Sequence, residues 1–285
     1  MQKIKWYLQI SRPRFWIYVF GPFLIGIAAT VSTKEFSFDI TLALLVTGLF
    51  FTFPANLFIY GVNDLFDYET DKHNPKKKAY ETLLAPENRK QFINILSIVM
   101  VPFVALMSYL FISNDSYIAV WSLALFLFFG AGYSMPPIRT KTKPFLDSFF
   151  NILYIFPGFV SFGLLAKTWP DVNIIIAGTA WVMAMHAFSA VPDIKADSKA
   201  GIKTVATVLG KNQTVLFCSA LYVIAGLLSL QYLGVVSIVG MITYGTLMIL
   251  ALRAHYSEGL FAVYRAFPYV NMIFGFVLFW YTAPS

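Results

Sequence analysis

The residues best placed to do chemistry lie in Asn63-Asp64-Leu65-Phe66-Asp67-Tyr68-Glu69-Thr70-Asp71, at the end of a long apolar run. Asp64, Asp67 and Asp71 recur at i, i+3 and i+7, which puts them on one face of a helix, with Asn63 and Asp67 paired at i, i+4 beside it. Three carboxylates on one face repel one another unless cations neutralise them, and hard divalent ions with oxygen ligands suit that role. Magnesium fits best, because one or two carboxylates hold it and water and substrate phosphate complete its shell. A second acidic pair, Asp193 and Asp197 in Val191-Pro192-Asp193-Ile194-Lys195-Ala196-Asp197, is again spaced i, i+4 after an apolar segment. The expectation is one metal ion at each cluster and a diphosphate bridging the two. The bland alternative is that these residues cap and solvate helix ends.

The elements that must position these groups are membrane helices. With 58% hydrophobic, 12% charged and 18% aromatic residues in 285, the chain is too apolar for a soluble domain. Apolar segments recur at about Phe15 to Val31, Ile40 to Val62, Phe92 to Ile112, Ile118 to Tyr133, Phe149 to Ala166, Ile174 to Val191, Val215 to Tyr232, Val235 to Leu252 and Phe261 to Tyr281. Each is long enough to cross a hydrocarbon core of about 30 Å. The expected fold is therefore all-α, nine transmembrane helices in one bundle and one domain over residues 1–285. The basic start, Met1 to Arg14, reads as a short interfacial helix. The single cysteine, Cys218, lies in an apolar run and is expected to pack in the core. Both aspartate motifs follow apolar segments, so both are expected at helix C-termini, whose partial negative charge favours cations over anions.

The pattern Asn-Asp-x-x-Asp-x-x-x-Asp at Asn63 to Asp71, with Asp-x-x-x-Asp at Asp193 to Asp197, resembles the UbiA-type superfamily of intramembrane prenyltransferases. The resemblance covers nearly the whole chain. It implies a helical bundle that moves an isoprenoid from its diphosphate to a lipophilic acceptor, with magnesium, two ions in all, held by Asp64, Asp67, Asp71, Asp193 and Asp197 and with Asn63 beside them.

If the N-terminus is cytoplasmic, every basic residue of the 21 except Lys34 and Lys167 falls on the inner side, a strong positive-inside signal. The expectation is an integral protein of the cell (inner) membrane, with its C-terminus outside and its cavity opening at the cytoplasmic side. Arg139, Lys141 and Lys143 stand in a proline-flanked loop, Pro136 to Pro144, expected to be extended. Arg139 and Lys141 are candidates to clamp the departing diphosphate, or else are charge anchors, and Lys143 is read as an anchor. Lys76, Lys77 and Lys78 are expected to meet anionic membrane lipid. Lys199 or Lys203 reaches phosphate, or both belong to a solvated loop. His186, seven residues before Asp193, is expected on the same helical face and about 10 Å deeper, as a proton relay or a hydrogen-bonded bundle residue. Tyr60 and Tyr133 are candidate cavity aromatics that would face an allylic cation. Asp147 and Asn151 are expected to face inward, toward substrate or a neighbouring helix.

The 21 Lys and Arg residues are expected at span ends or in loops, which favours a neutral, apolar acceptor over an aromatic acid. The stretches Tyr133 to Lys141 with Pro144 to Ser148, and Pro192 to Ile194 with Ala200 to Gly210, look most like the carotenoid branch, the lycopene elongases. That resemblance implies transfer of dimethylallyl units to lycopene. Prenylation of an aromatic quinone precursor or of a glycerol-ether lipid precursor is the alternative, and an ion-coupled transporter is the alternative of a different class. No nucleic-acid partner is expected.

Overall fold

Backbone N–H and C=O groups in hydrocarbon have no water to pair with, so an apolar chain of this kind must satisfy them within helices. The computed structural model describes residues 2–30, 36–71, 83–254 and 258–283, and among them there is no strand. The helices are α1 (Gln2–Ile10), α2 (Ile17–Ala28), α3 (Phe38–Phe50), α4 (Phe53–Asp71), α5 (Arg89–Ser113), α6 (Tyr117–Ser134), α7 (Leu146–Phe149), α8 (Phe156–Ala166), α9 (Val172–Ser189), α10 (Ile194–Lys199), α11 (Val205–Leu233), α12 (Val235–Arg253) and α13 (Glu258–Thr282). Lys34, Lys72, Lys76, Lys77 and Lys78 lie outside the described residues, and of Asp71 only the backbone is described.

Seven helical stretches among the described residues, with α3 and α4 taken together as Phe38–Tyr68, are long and apolar enough to cross a membrane, or up to eight if the bent pair Leu146–Tyr154 and Phe156–Ala166 counts as one span. Pro13–Ala28 is apolar but shorter. The all-helical expectation holds, whereas a count of nine is not established.

Besides that bent pair, two further expected segments are broken. The segment Ile40 to Val62 is split at Phe51 and Thr52 into α3 and α4. Pro54 lacks an N–H and belongs in a first helical turn, and the Thr52 hydroxyl donates to the Leu49 carbonyl at 2.6 Å, so the ladder restarts here. The segment reaching Val191 ends as a helix at Ser189, and a turn in which Asp193 N–H donates to Ala190 O leads into the separate α10.

The helices form two compact units. The first, Met1–Ile138 with Phe156–Trp169, contains α1 to α6 and α8. A close crossing joins α2 to α8: a Cβ added at Gly26 would lie 2.2 Å from the Gly158 carbonyl oxygen. The Ser161 hydroxyl donates to Phe23 O at 2.7 Å across the same crossing. Small residues that let backbones touch are the usual means of packing helices where lipid removes the hydrophobic drive. Phe50, Phe51 and Phe126 fill the space beside it with edge-to-face rings.

The second unit, Arg139–Ile155 with Pro170–Ala283, contains α7 and α9 to α13. Tyr222 stacks on Tyr244 at 4.5 Å, and the Tyr244 hydroxyl donates to Asn271 Oδ1 at 2.8 Å, joining α11, α12 and α13. Cys218 is buried in this core, as expected. The Lys211 ammonium donates to the carbonyls of Leu252 and Ala254 and so caps the C-terminus of α12. Arg265 departs from the expectation for basic residues: it is exposed but lies within α13, its guanidinium 5.2 Å from the Phe261 ring centroid.

Candidate functional site

The last turns of α4 carry the first aspartate motif. Asp64 and Asp67 are only 2% and 7% exposed, so the two carboxylates of the face expected from their spacing are buried. Asn63 is half-buried, and the Ser134 hydroxyl at the end of α6 donates to its Oδ1 at 2.9 Å. That bond ties the Asn-Asp pair to the Tyr-Ser-Met-Pro-Pro stretch.

Asp64 also meets Arg12. One guanidinium nitrogen of Arg12 donates to Asp64 Oδ1 at 2.9 Å, and its Cζ lies 4.8 Å from the centroid of the Tyr60 ring. Phe15 flanks Tyr60 from the same turn, at 5.9 Å between centroids. Sequence reasoning placed Arg12 in a basic interfacial segment and Tyr60 in a cavity wall. Their meeting depends on how α1 docks. Tyr7 and Ile10 pack with Leu57, Leu84 and Phe92, and that contact brings the end of α1 to α4.

The second motif lies in the other unit. Asp193 and Asp197 are half-buried, at the start and middle of the six-residue α10, while Lys195 and Lys199 are exposed. Asp193 occupies the N-cap position of α10, so the expectation that both motifs sit at helix C-termini holds for α4 alone. The α9 to α10 turn also removes the premise that His186 shares a helical face with Asp193. His186 is half-buried on α9, and its carbonyl accepts from the Ser189 hydroxyl at 2.7 Å. Gly201 follows α10 at φ +69, a left-handed conformation that suits glycine as a helix terminator. Lys203 is exposed.

The loop after α6 is not extended. Pro136–Pro137 is cis, Arg139 is left-handed at φ 38, and Thr140–Thr142 form a turn of 3-10 helix. Arg139 and Lys141 are half-buried in this turn and Lys143 is exposed; Tyr133, in the last turn of α6, is half-buried.

Asp147, fully buried, is a structural cap. Its Oδ2 accepts from Val205 N at 2.9 Å, at the first residue of α11, and its Oδ1 accepts from Ser148 N at 2.9 Å. Thr204 and Thr207 complete the cap reciprocally, each side chain bonded to the other's backbone N–H. A carboxylate at this end also complements the helix dipole. Asn151 donates to the Asp147 carbonyl at 2.7 Å. Of the two readings left open for Asp147, the structure supports the neighbouring helix.

Among the described residues no group of three or more His, Cys, Asp or Glu side chains is arranged to hold a metal ion. The first motif nevertheless fits a hard cation. Two buried carboxylates on adjacent turns, at the negative end of a helix, offer oxygen donors, and one of them already binds a cationic side chain.

The sequence model of the UbiA prenyltransferase family matches residues 19–282. The lycopene elongase/hydratase of Haloarcula japonica is 37% identical over 220 residues, 76% of this chain and 71% of that protein. The lycopene elongase/hydratase of Haloferax volcanii is 38% identical over 216 residues, 76% and 69% of the two chains. Among solved structures, a UbiA homolog from Archaeoglobus fulgidus bound to DMAPP and Mg2+ superposes with a TM-score of 0.75 at 18% identity, covering 97% of each chain. With the family's model spanning almost all the helices described above, the chain belongs to the UbiA prenyltransferase family.

Proposed function

We propose that this protein transfers a dimethylallyl group from dimethylallyl diphosphate to a terminal double bond of lycopene. The observation that carries the reading is the likeness to lycopene elongase/hydratases, 37% and 38% identical over three quarters of the chain. The donor's C–O bond breaks and inorganic diphosphate leaves. The allylic carbon bonds to the polyene, and the resulting cation loses a proton or captures water.

In this reading Asp64, Asp67, Asp71, Asp193 and Asp197 hold two magnesium ions, with Asn63 beside them. Magnesium, when bound, screens the diphosphate charge and makes it a better leaving group. Buried carboxylates on α4 support the metal assignment, and the buried fractions of Arg139 and Lys141 support their reading as phosphate-binding donors. Tyr60 and Tyr133 present ring faces to the electron-poor carbon, His186 accepts or relays a proton, and Lys203 steers the anionic donor. Exclusion of water by the aromatic lining lets the cation survive long enough to meet the alkene.

Residues 1–285 act as one membrane domain of nine spans in the cell (inner) membrane. The N-terminus and the donor-accepting cavity are cytoplasmic, and the C-terminus is outside. Lys76, Lys77 and Lys78 rest on anionic lipid, and nucleic acid is no partner. Expression in a lycopene-accumulating bacterium tests the acceptor. Pigments heavier by one or two five-carbon units, with or without added water, are expected. Unchanged lycopene beside a prenylated 4-hydroxybenzoate would reject it.

A further inference from the structure

Arg12 is more than an anchor to the membrane surface. Its guanidinium reaches a carboxylate that is 2% exposed, while the arginine side chain itself is 16% exposed. A pair this shielded from water is screened far less than a surface pair, and breaking it by removing one partner leaves a buried charge uncompensated. The backbone is arranged for it. Arg12 is left-handed, at φ 49 and ψ 69, a conformation costly for a residue with a Cβ and kept only where surrounding contacts impose it. Those contacts are present. Ser11 is fully buried and its hydroxyl donates to Leu8 O at 2.8 Å, and the Trp16 indole N–H donates to Ser11 O at 3.0 Å. Tyr60, one turn before Asp64 on α4, lays its ring under the guanidinium and favours its positive charge.

We propose that Arg12 is a resident counter-cation of the first aspartate motif, which occupies Asp64 until a divalent ion displaces it. The inference rests on the magnesium reading of this site given above. A divalent ion held by Asp64 would neutralise the charge that keeps the guanidinium 2.9 Å from this carboxylate and would repel it as a second cation at close range. Metal loading therefore costs the Arg12 ion pair, and the free arginine is then a donor for the diphosphate that arrives with the ion. The consequence is ordered binding: in the absence of diphosphate the motif takes metal weakly, and diphosphate and metal strengthen each other.

The test is Mn2+ binding, followed by the EPR signal of free ion over detergent-purified full-length protein, with and without inorganic diphosphate. Without diphosphate, Arg12→Gln should bind Mn2+ at least ~5-fold more tightly than wild type, because the competitor is gone. With diphosphate present, the enhancement of Mn2+ affinity should be smaller in Arg12→Gln than in wild type. Equal or weaker Mn2+ binding by folded Arg12→Gln overturns the proposal. Hydrogen exchange on the unmodified protein gives a second measurement should the variant fail to fold. Added Mn2+ should raise deuterium uptake across residues 8–16 as the turn loses its anchor on Asp64, and unchanged uptake there would likewise overturn the proposal. Wild type that binds no Mn2+ with or without diphosphate defeats the magnesium reading itself, and this inference with it. Mn2+ binding that ignores Arg12 defeats only the inference.

Discussion

Asp64 and Asp67 stand three residues apart on α4, and Asp64 already holds a guanidinium, so the two differ in what their loss should do. Asp67→Ala and Asp193→Ala should each lower prenyl transfer by on the order of 100-fold or more, since even outer-shell partners of a metal are worth 10- to 100-fold. Both should remain extractable and folded, because removing one of several like charges relieves repulsion in the metal-free state. Asp64→Ala should lose activity as fully and also lose stability, since Arg12 is left half-buried without this partner. Turnover by the Asp67 variant at the wild-type rate would contradict the role assigned to it. Asp147 makes the opposite prediction. Asp147→Asn removes a carboxylate from the N-terminus of α11 and should lower stability by about 1–3 kcal/mol in detergent unfolding, while activity per folded molecule stays near wild type. Lost activity with unchanged stability would instead make Asp147 a substrate ligand. The aspartate motif was legible because helical spacing alone puts its carboxylates on one face. Arg12 was not, because its partner lies 52 residues away and only the docking of α1 brings them together.

At the scale of elements, what composition could reveal was the presence of apolar helices, and what it could not reveal was where they break. The interruption at Phe51 and Thr52 falls within an unbroken apolar run, so hydropathy passes over it. The turn after Ser189 moved Asp193 and Asp197 from the end of α9 to a helix of their own. Periodicity cannot report a change of axis between two segments that are each helical. Helix contacts give a paired prediction. Gly26→Val in α2 must push against the Gly158 backbone and should cost about 1–3 kcal/mol or more in unfolding stability. Gly245→Ala in α12, where nothing lies within 4 Å of the added Cβ, should be neutral or gain up to about 1 kcal/mol from helix propensity. Equal tolerance at both glycines would mean that the α2 to α8 crossing is looser than these distances imply.

At the scale of the whole molecule, the claims are about orientation and chemistry. A reporter fused after Ser285 should be found outside the cytoplasm and one inserted at Lys77 inside it; the reverse pair would move the aspartate motifs to the wrong side for a soluble donor. The membrane class of the chain was evident from its 58% hydrophobic content, and the family from the spacing of two aspartate motifs, the family's model then matching residues 19–282. The acceptor was legible only through resemblance, since a hydrocarbon leaves no polar signature for a sequence to answer, and Arg265 within α13 weakens the argument from missing internal cations. The central claim is metal-dependent prenyl transfer to lycopene, and the direct measurement uses purified protein in lipid vesicles with radiolabelled dimethylallyl diphosphate, lycopene and magnesium. The account predicts label in carotenoids one and two five-carbon units longer than lycopene, lost on adding chelator and restored by excess magnesium. Label that never enters a carotenoid, or enters it equally well in chelator, would contradict it.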